Sequence, residues 1–134
     1  ALTDPNEAER FVKETGVDCL AGSIGTSHGV YRSGTPHLDF ALLDRLDKLL
    51  EIPLVLHGGS GSGDEQLKKA GSMGTQKVNL CTDLTDAGYE NMRRFCDSIT
   101  NRTPTSTEVY DSQAQGYKAK LEYYLKLFGG IGRI

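Results

Sequence analysis

The chain has 134 residues, of which 37% are hydrophobic and 25% charged, so it can form a hydrophobic core and is not expected to be disordered. Its net charge of −3 argues against a broad cationic surface for nucleic acid, and no apolar run is long enough to span a membrane. The three cysteines form no CxxC pair and the N-terminus shows no signal-peptide pattern, which together favour the reducing cytoplasm.

The first part of the chain alternates between helical and strand patterns. Asp4 and Pro5 form a typical helix start, with an N-cap carboxylate followed by proline at the first helical position. The apolar run at 17–24 predicts a strand, leucines at helical spacing predict a helix at 38–50, and a second apolar run predicts a strand at 52–57.

The alternation continues towards the C-terminus. Asp64 and Glu65 predict the start of a third helix, and an apolar run predicts a third strand at 77–82. Two longer helical stretches are predicted within 84–128, the first of them interrupted by Gly88. No internal repeat or linker divides residues 1–134.

Strands that are almost continuously apolar and alternate with helices are typical of a parallel sheet covered by helices. Three strands are too few for a complete barrel of this type, because a (β/α)8 TIM barrel has eight. We therefore predict an α/β fold in which the chain supplies about three βα units, followed by C-terminal helices, of a larger TIM-barrel-type structure.

Polar residues follow the predicted strands at their carboxyl ends, where α/β folds hold their active sites. His28 and His57 are separated by one strand-helix unit, so we expect them at equivalent positions on neighbouring strands. Zinc binds imidazole nitrogen, and a catalytic site would need a third protein ligand. The remaining histidine, His37, lies at a helix entry and is a poor candidate. The alternative is that both histidines are structural polar residues beside tight turns.

The segment 57–63, His-Gly-Gly-Ser-Gly-Ser-Gly, predicts a loop that binds an anion. Missing side chains let backbone N–H groups approach an oxyanion, and Ser60 can add a hydroxyl donor. Thr82 is expected close to a helix N-terminus, which also favours an anion. The alternative is a flexible glycine turn. Cys81 has no visible activating partner and is interpreted as a lining residue.

Four segments resemble the class II, metal-dependent fructose- and tagatose-bisphosphate aldolases. They are SIGTSHGVY at 23–31, LDF at 38–40, IPLVLHGGSG at 52–61 and KVN at 77–79. The likeness runs over about residues 3–94, and the HGGSG segment is its most diagnostic part. It covers the C-terminal half of the family, with the last three barrel strands and the trailing helices.

The resemblance implies roles for individual positions. His28 and His57 correspond to two of the three zinc-binding histidines of the family. Asn79 corresponds to an asparagine that contacts the substrate near its reacting carbons. A monovalent cation, Na⁺ or K⁺, is often bound beside the phosphate in the family. Four positions match those that hold the phosphate of dihydroxyacetone phosphate: Gly29, Gly58, Ser60 and Thr82.

The implied activity of the complete barrel is reversible, metal-dependent cleavage of a ketose 1,6-bisphosphate to dihydroxyacetone phosphate and glyceraldehyde 3-phosphate. The general base of the family is an aspartate followed directly by the first zinc histidine, and no Asp-His dipeptide occurs in this sequence. No catalytic base is therefore assigned here, and this chain alone is expected to be inactive. Cys81 and the pair Ser62-Gly63 depart from the usual family residues.

A different class of function is a non-catalytic aldolase-like module that binds phosphate or stabilises a partner subunit. Retention of His28, His57 and Asn79 argues against it, because a scaffold needs none of them. An open three-stranded sheet would expose unpaired backbone groups at its edges. We therefore expect the chain to pair with the missing half of the barrel or with a second copy, in a homo-oligomer. The choice between fructose and tagatose bisphosphate stays open.

Overall fold

A computed structural model describes residues 1–26 and 34–130. The chain divides into two compact units, Ala1–Leu80 and Cys81–Ile134, called here the first and second units. In the first unit, helices alternate with short strands in the order α1 Pro5–Thr15, β1 Leu20–Ala21, α2 Phe40–Leu49, β2 Leu54–Leu56, α3 Asp64–Ser72 and β3 Thr75–Val78. The second unit contains α4 Thr82–Ser98 and α5 Ser106–Leu127.

The described strands form one parallel sheet in the order β1-β2-β3. All three residues of β2 are buried, which explains why its sequence is apolar throughout rather than alternating. The core that supports the sheet consists mainly of leucines from the strands, the helices and the segments between them, of which Leu38 and Leu46 are fully buried. The predicted parallel α/β arrangement is confirmed.

The helix boundaries in this unit follow the local signals in the sequence. The Asp4 carboxylate accepts hydrogen bonds from the N–H groups of Asn6 and Glu7 at 2.9 and 3.0 Å, as expected of an N-cap. Gly16 ends α1 in the left-handed conformation, with φ 66°. The sequence therefore predicted the start of α1 correctly.

The strands are shorter than predicted, and the third is displaced. β1 has two residues instead of the predicted run at 17–24, and β3 ends at Val78 instead of reaching residue 82. The pairing of β2 with β3 shifts register between Leu54 and Val55. The Leu54 N–H donates to the side-chain oxygen of Gln76 at 2.7 Å. This side chain takes the place of the backbone acceptor that a regular pairing would provide.

The two helices of the second unit approach each other closely through glycines. A Cβ atom on Gly116 would lie 2.7 Å from the Asn91 Cβ. The Asn91 amide donates to the Ser112 carbonyl at 2.6 Å across the same contact. Contrary to the sequence-based prediction, Gly88 does not interrupt α4 but is buried within it. A Cβ on Gly88 would lie 3.0 Å from the Tyr117 ring, so glycine permits the close approach of α5.

Within the described residues, no helix has the length and apolar character that a membrane span requires.

The N-terminus of α5 is fixed by a capping box. The Thr105 hydroxyl accepts from the Glu108 N–H at 3.3 Å, and the Glu108 carboxylate accepts from the Thr105 N–H at 2.8 Å. Arg102 adds an ion pair to the same carboxylate at 2.5 Å. The Arg102 guanidinium and the Thr105 donors lower the pKa of Glu108 to about 2.

Replacing Glu108 with glutamine should lower the melting temperature of the protein at neutral pH, and the difference should vanish in strong acid. Because the pKa of Glu108 is lower in the folded state than its ordinary 4.5, its stabilisation is complete above pH 4.5 and is lost as the pH falls through about 2. Circular dichroism melts across this range measure the difference. Glu122→Gln is the control, since Glu122 lies 3.8 Å from Lys118 and caps no helix. An equal loss at neutral pH and below pH 2 would contradict the assignment.

Candidate functional site

His57 follows directly after β2, at the carboxyl end of the parallel sheet, and its side chain is exposed. The Asn79 N–H donates to the Leu56 carbonyl at 2.8 Å, which continues the pairing of the two strands one residue beyond β3. The Asn79 side-chain nitrogen consequently lies 2.8 Å from Nε2 of His57. The structure therefore brings these two predicted site residues together.

The position of His57 is fixed from the backbone side as well. The Thr26 hydroxyl donates to the His57 carbonyl at 2.6 Å, across 31 residues of sequence. Sequence reasoning did not assign a role to Thr26. Thr26 belongs to the segment GTSHG at 25–29, but nothing in that segment indicates a hydrogen bond to His57.

The glycine-rich loop, residues 57–63, has a defined conformation. Gly58, Gly61 and Gly63 have φ values of 67°, 75° and 80°, a backbone conformation that residues other than glycine rarely adopt. Gly59 is required for a different reason, because a Cβ there would lie 2.9 Å from Val78 Cγ1. Each of these glycines therefore has a specific place in the loop.

The serines of the loop are buried, with Ser60 7% exposed and Ser62 completely covered. The Ser62 hydroxyl donates to the Gly58 carbonyl at 3.1 Å, and the Ser62 N–H donates to the Gly59 carbonyl at 3.1 Å. Ser62, noted in the sequence only as a departure from the family, therefore closes the loop on itself. Ser60 is the buried serine that was predicted to contribute a hydroxyl donor.

β2 ends immediately before His57, and β1, its parallel neighbour in the sheet, ends at Ala21. The expectation that His28 and His57 occupy equivalent positions on neighbouring strands stays a prediction. His28 and Gly29 lie outside the described residues. His37 is exposed and precedes α2.

The donor chemistry at His57 fits zinc, because an accessible imidazole at a strand end is a ligand that zinc commonly takes. Residues 1–26 and 34–130 gather no group of three histidine, cysteine, aspartate or glutamate side chains that could hold a metal. At the end of β2, the described residues offer the imidazole of His57, and zinc takes further protein ligands beside a histidine.

Thr82 and Cys81 belong to the second unit. Thr82 is the first residue of α4 rather than the last residue of a strand, because the Thr85 N–H donates to the Cys81 carbonyl at 3.0 Å and begins the helical pattern. Asp83 in the first turn favours the helix through the macrodipole. The phosphate-binding role of Thr82 stays a prediction.

The sequence matches the family model of class-II fructose-bisphosphate aldolase over residues 1–133. It is 38% identical over 136 aligned residues to a fructose-bisphosphate aldolase of Geobacillus stearothermophilus. That match covers 97% of this chain and 45% of the relative. The chain thus spans about half the length of this curated relative.

Solved structures give the same result for the fold. The YdjI aldolase of Escherichia coli K12 superimposes with a TM-score of 0.86 at 36% identity, over 98% of this chain and 47% of that one. A fructose-bisphosphate aldolase of Campylobacter jejuni, 23% identical, shares the fold with a TM-score of 0.71 over 96% of this chain and 45% of its own. The sequence-based expectation of a partial TIM-barrel-type α/β fold is confirmed.

Replacing Gly59 with alanine should destabilise the protein by about 1–3 kcal/mol, a typical cost of forcing an extra methyl group into a packed site. The new Cβ would lie 2.9 Å from Val78 Cγ1 and 3.0 Å from Leu80 Cδ2, so the loop or the end of β3 must shift. Urea denaturation measures the change. Gly130→Ala is the control, because its Cβ would meet its nearest neighbours at 3.4 and 3.6 Å. Equal stability of the two variants would show that the loop does not need this close approach.

Proposed function

This chain belongs to the class-II fructose-bisphosphate aldolase family, and from that membership we propose that it forms part of a lyase acting on a ketose 1,6-bisphosphate. The reaction is reversible cleavage to dihydroxyacetone phosphate and glyceraldehyde 3-phosphate. The observation that carries the proposal is the meeting of His57, Asn79 and the glycine-rich loop at the carboxyl end of a parallel sheet. This edge is where barrel enzymes hold their active sites.

Zinc is the proposed metal, with His57 and His28 as two of its ligands. When bound, zinc would act as a Lewis acid that polarises the ketone and stabilises the negative charge formed on cleavage. His57 contributes an exposed imidazole whose Nε2 lies 2.8 Å from the Asn79 amide nitrogen. The proposed metal ligand and the proposed substrate contact therefore share one small region of the sheet edge.

The glycine-rich loop is the proposed binding site for the phosphate of dihydroxyacetone phosphate. Glycines with positive φ values let successive backbone N–H groups form a concavity for an anion. We assign Gly58 and Ser60 of the first unit to this role, together with Gly29 from the resemblance. A Na⁺ or K⁺ ion beside the phosphate belongs to the same proposal.

The general base is proposed to lie outside this sequence, so this chain alone should not turn over substrate. The chain spans about half the length of its curated relative, which supports a requirement for further barrel strands. We propose that these come from the remainder of the protein or from a second copy, within a homo-oligomer. The cysteines of the described residues form no disulfide, which supports a cytoplasmic location.

Replacing His57 with alanine should raise the zinc Kd of the full-length protein more than about tenfold and abolish ketose-bisphosphate cleavage. The physical reason is the loss of one metal ligand, which costs at least as much affinity as the loss of a residue that supports a ligand. Competition with a fluorescent chelator measures zinc affinity, and coupled detection of triose phosphate measures cleavage.

His37→Ala is the matched control, because His37 is an exposed histidine of the same unit at a helix entry. It should leave both quantities unchanged. Retention of zinc and cleavage by the His57 variant would refute the proposal. Loss of cleavage with unchanged zinc affinity would refute the metal-binding role of His57.

A further inference from the structure

The side chain of Gln66, on α3, joins two distant segments of the first unit. Its Nε2 donates to the Pro36 carbonyl at 2.7 Å and to the Ser62 carbonyl at 2.8 Å. Its Oε1 accepts from the Leu38 N–H at 2.9 Å. Both amide hydrogens and the amide oxygen are therefore used, in a part-buried environment where lost partners are costly.

The segment that Gln66 holds, residues 36–38 and called here the strap, is anchored firmly. Leu38 is completely buried. Directly after the strap, the Asp39 N–H donates to the Ile24 carbonyl at 2.8 Å. The strap is therefore a fixed support, through which Gln66 can hold the Ser62 carbonyl in place.

That other side is the end of the glycine-rich loop. Ser62, whose carbonyl accepts from Gln66, closes the loop through its own hydrogen bonds to Gly58 and Gly59. Glycines leave the backbone many alternative conformations, and this loop has glycines at three positive φ positions. An external anchor at Ser62 therefore limits the conformations that the loop can reach.

We propose that Gln66 is a positioning residue for phosphate binding, which preorganises the glycine-rich loop by tying Ser62 to the strap. The inference rests on the proposed function of the loop. Gln66 acts through Ser62 and not by contact with the ligand. An amide is specifically suited to the place, because a glutamate would turn a carboxylate oxygen towards the two carbonyl oxygens of Pro36 and Ser62.

The test uses two variants of the full-length protein. Gln66→Met has a similar length and removes all three hydrogen bonds, whereas Gln66→Glu keeps an acceptor for the Leu38 N–H and removes both donors. Gln115→Met is the matched control, because Gln115 is an exposed glutamine on α5. The measurements are the Kd for inorganic phosphate, from amide chemical shifts of the loop, and the hydrogen-exchange rate of the Leu38 amide. KM and kcat for fructose bisphosphate are measured alongside.

Both Gln66 variants should raise the phosphate Kd and the KM about tenfold, with a smaller change in kcat. The reason is that a misplaced loop binds the phosphate group more weakly. The Leu38 amide should exchange faster in Gln66→Met and remain protected in Gln66→Glu. The Gln115 variant should match the unmodified protein. If Gln66→Met does not fold, Gln66→Glu alone decides.

An unchanged phosphate Kd in folded Gln66 variants would overturn the inference and leave the proposed function standing. An equal fall in kcat with an unchanged KM would also overturn it, because binding would then not be the step affected. Failure of the unmodified protein to bind phosphate at its loop amides would overturn the proposed function and the inference together. That result is distinguishable, since it is seen without any substitution.

Discussion

The site depends on the close contact between the glycine-rich loop and the end of β3. The Gly59 N–H donates to the Asn79 carbonyl at 3.2 Å, and the Asn79 N–H donates to the Leu56 carbonyl at 2.8 Å. These two bonds hold the start of the loop against the residue that follows the neighbouring strand. A Cβ at Gly59 would lie 2.9 Å from Val78 Cγ1, so glycine allows this contact without a shift of the neighbouring side chains. His57 and Asn79 meet as a direct result.

The rest of the first unit supports this contact from behind. Leu56, the last residue of β2, is 1% exposed, so the strand end that carries His57 rests on a packed core. Hydrogen bonds from Thr26, Ser62 and Gln66 then fix the loop at three points along its length. Within the described residues, no buried side-chain nitrogen or oxygen lacks a hydrogen-bond partner. Satisfied polar networks of this kind give a loop one defined conformation.

Local patterns in the sequence were sufficient for the fold class and the helix starts, because caps and apolar runs act over a few residues. They were insufficient where distant contacts decide. The third strand was predicted at 77–82 but lies at Thr75–Val78, where the Gln76 side chain forms an irregular pairing with Leu54. Gly88 was predicted to interrupt its helix because the sequence does not show that α5 packs against it. Gln66 was missed for the same reason, as its strap partners lie 28 and 30 residues away.

The most direct test of the central claim is an anomalous difference map at the zinc absorption edge, from crystals of the zinc-loaded full-length protein. If His57 is a zinc ligand, the map should show a peak at about 2.0–2.1 Å from one of its imidazole nitrogens, the usual zinc–histidine distance. A well-occupied zinc peak elsewhere, with none at His57, would contradict the assignment of this sheet edge as the metal-dependent site.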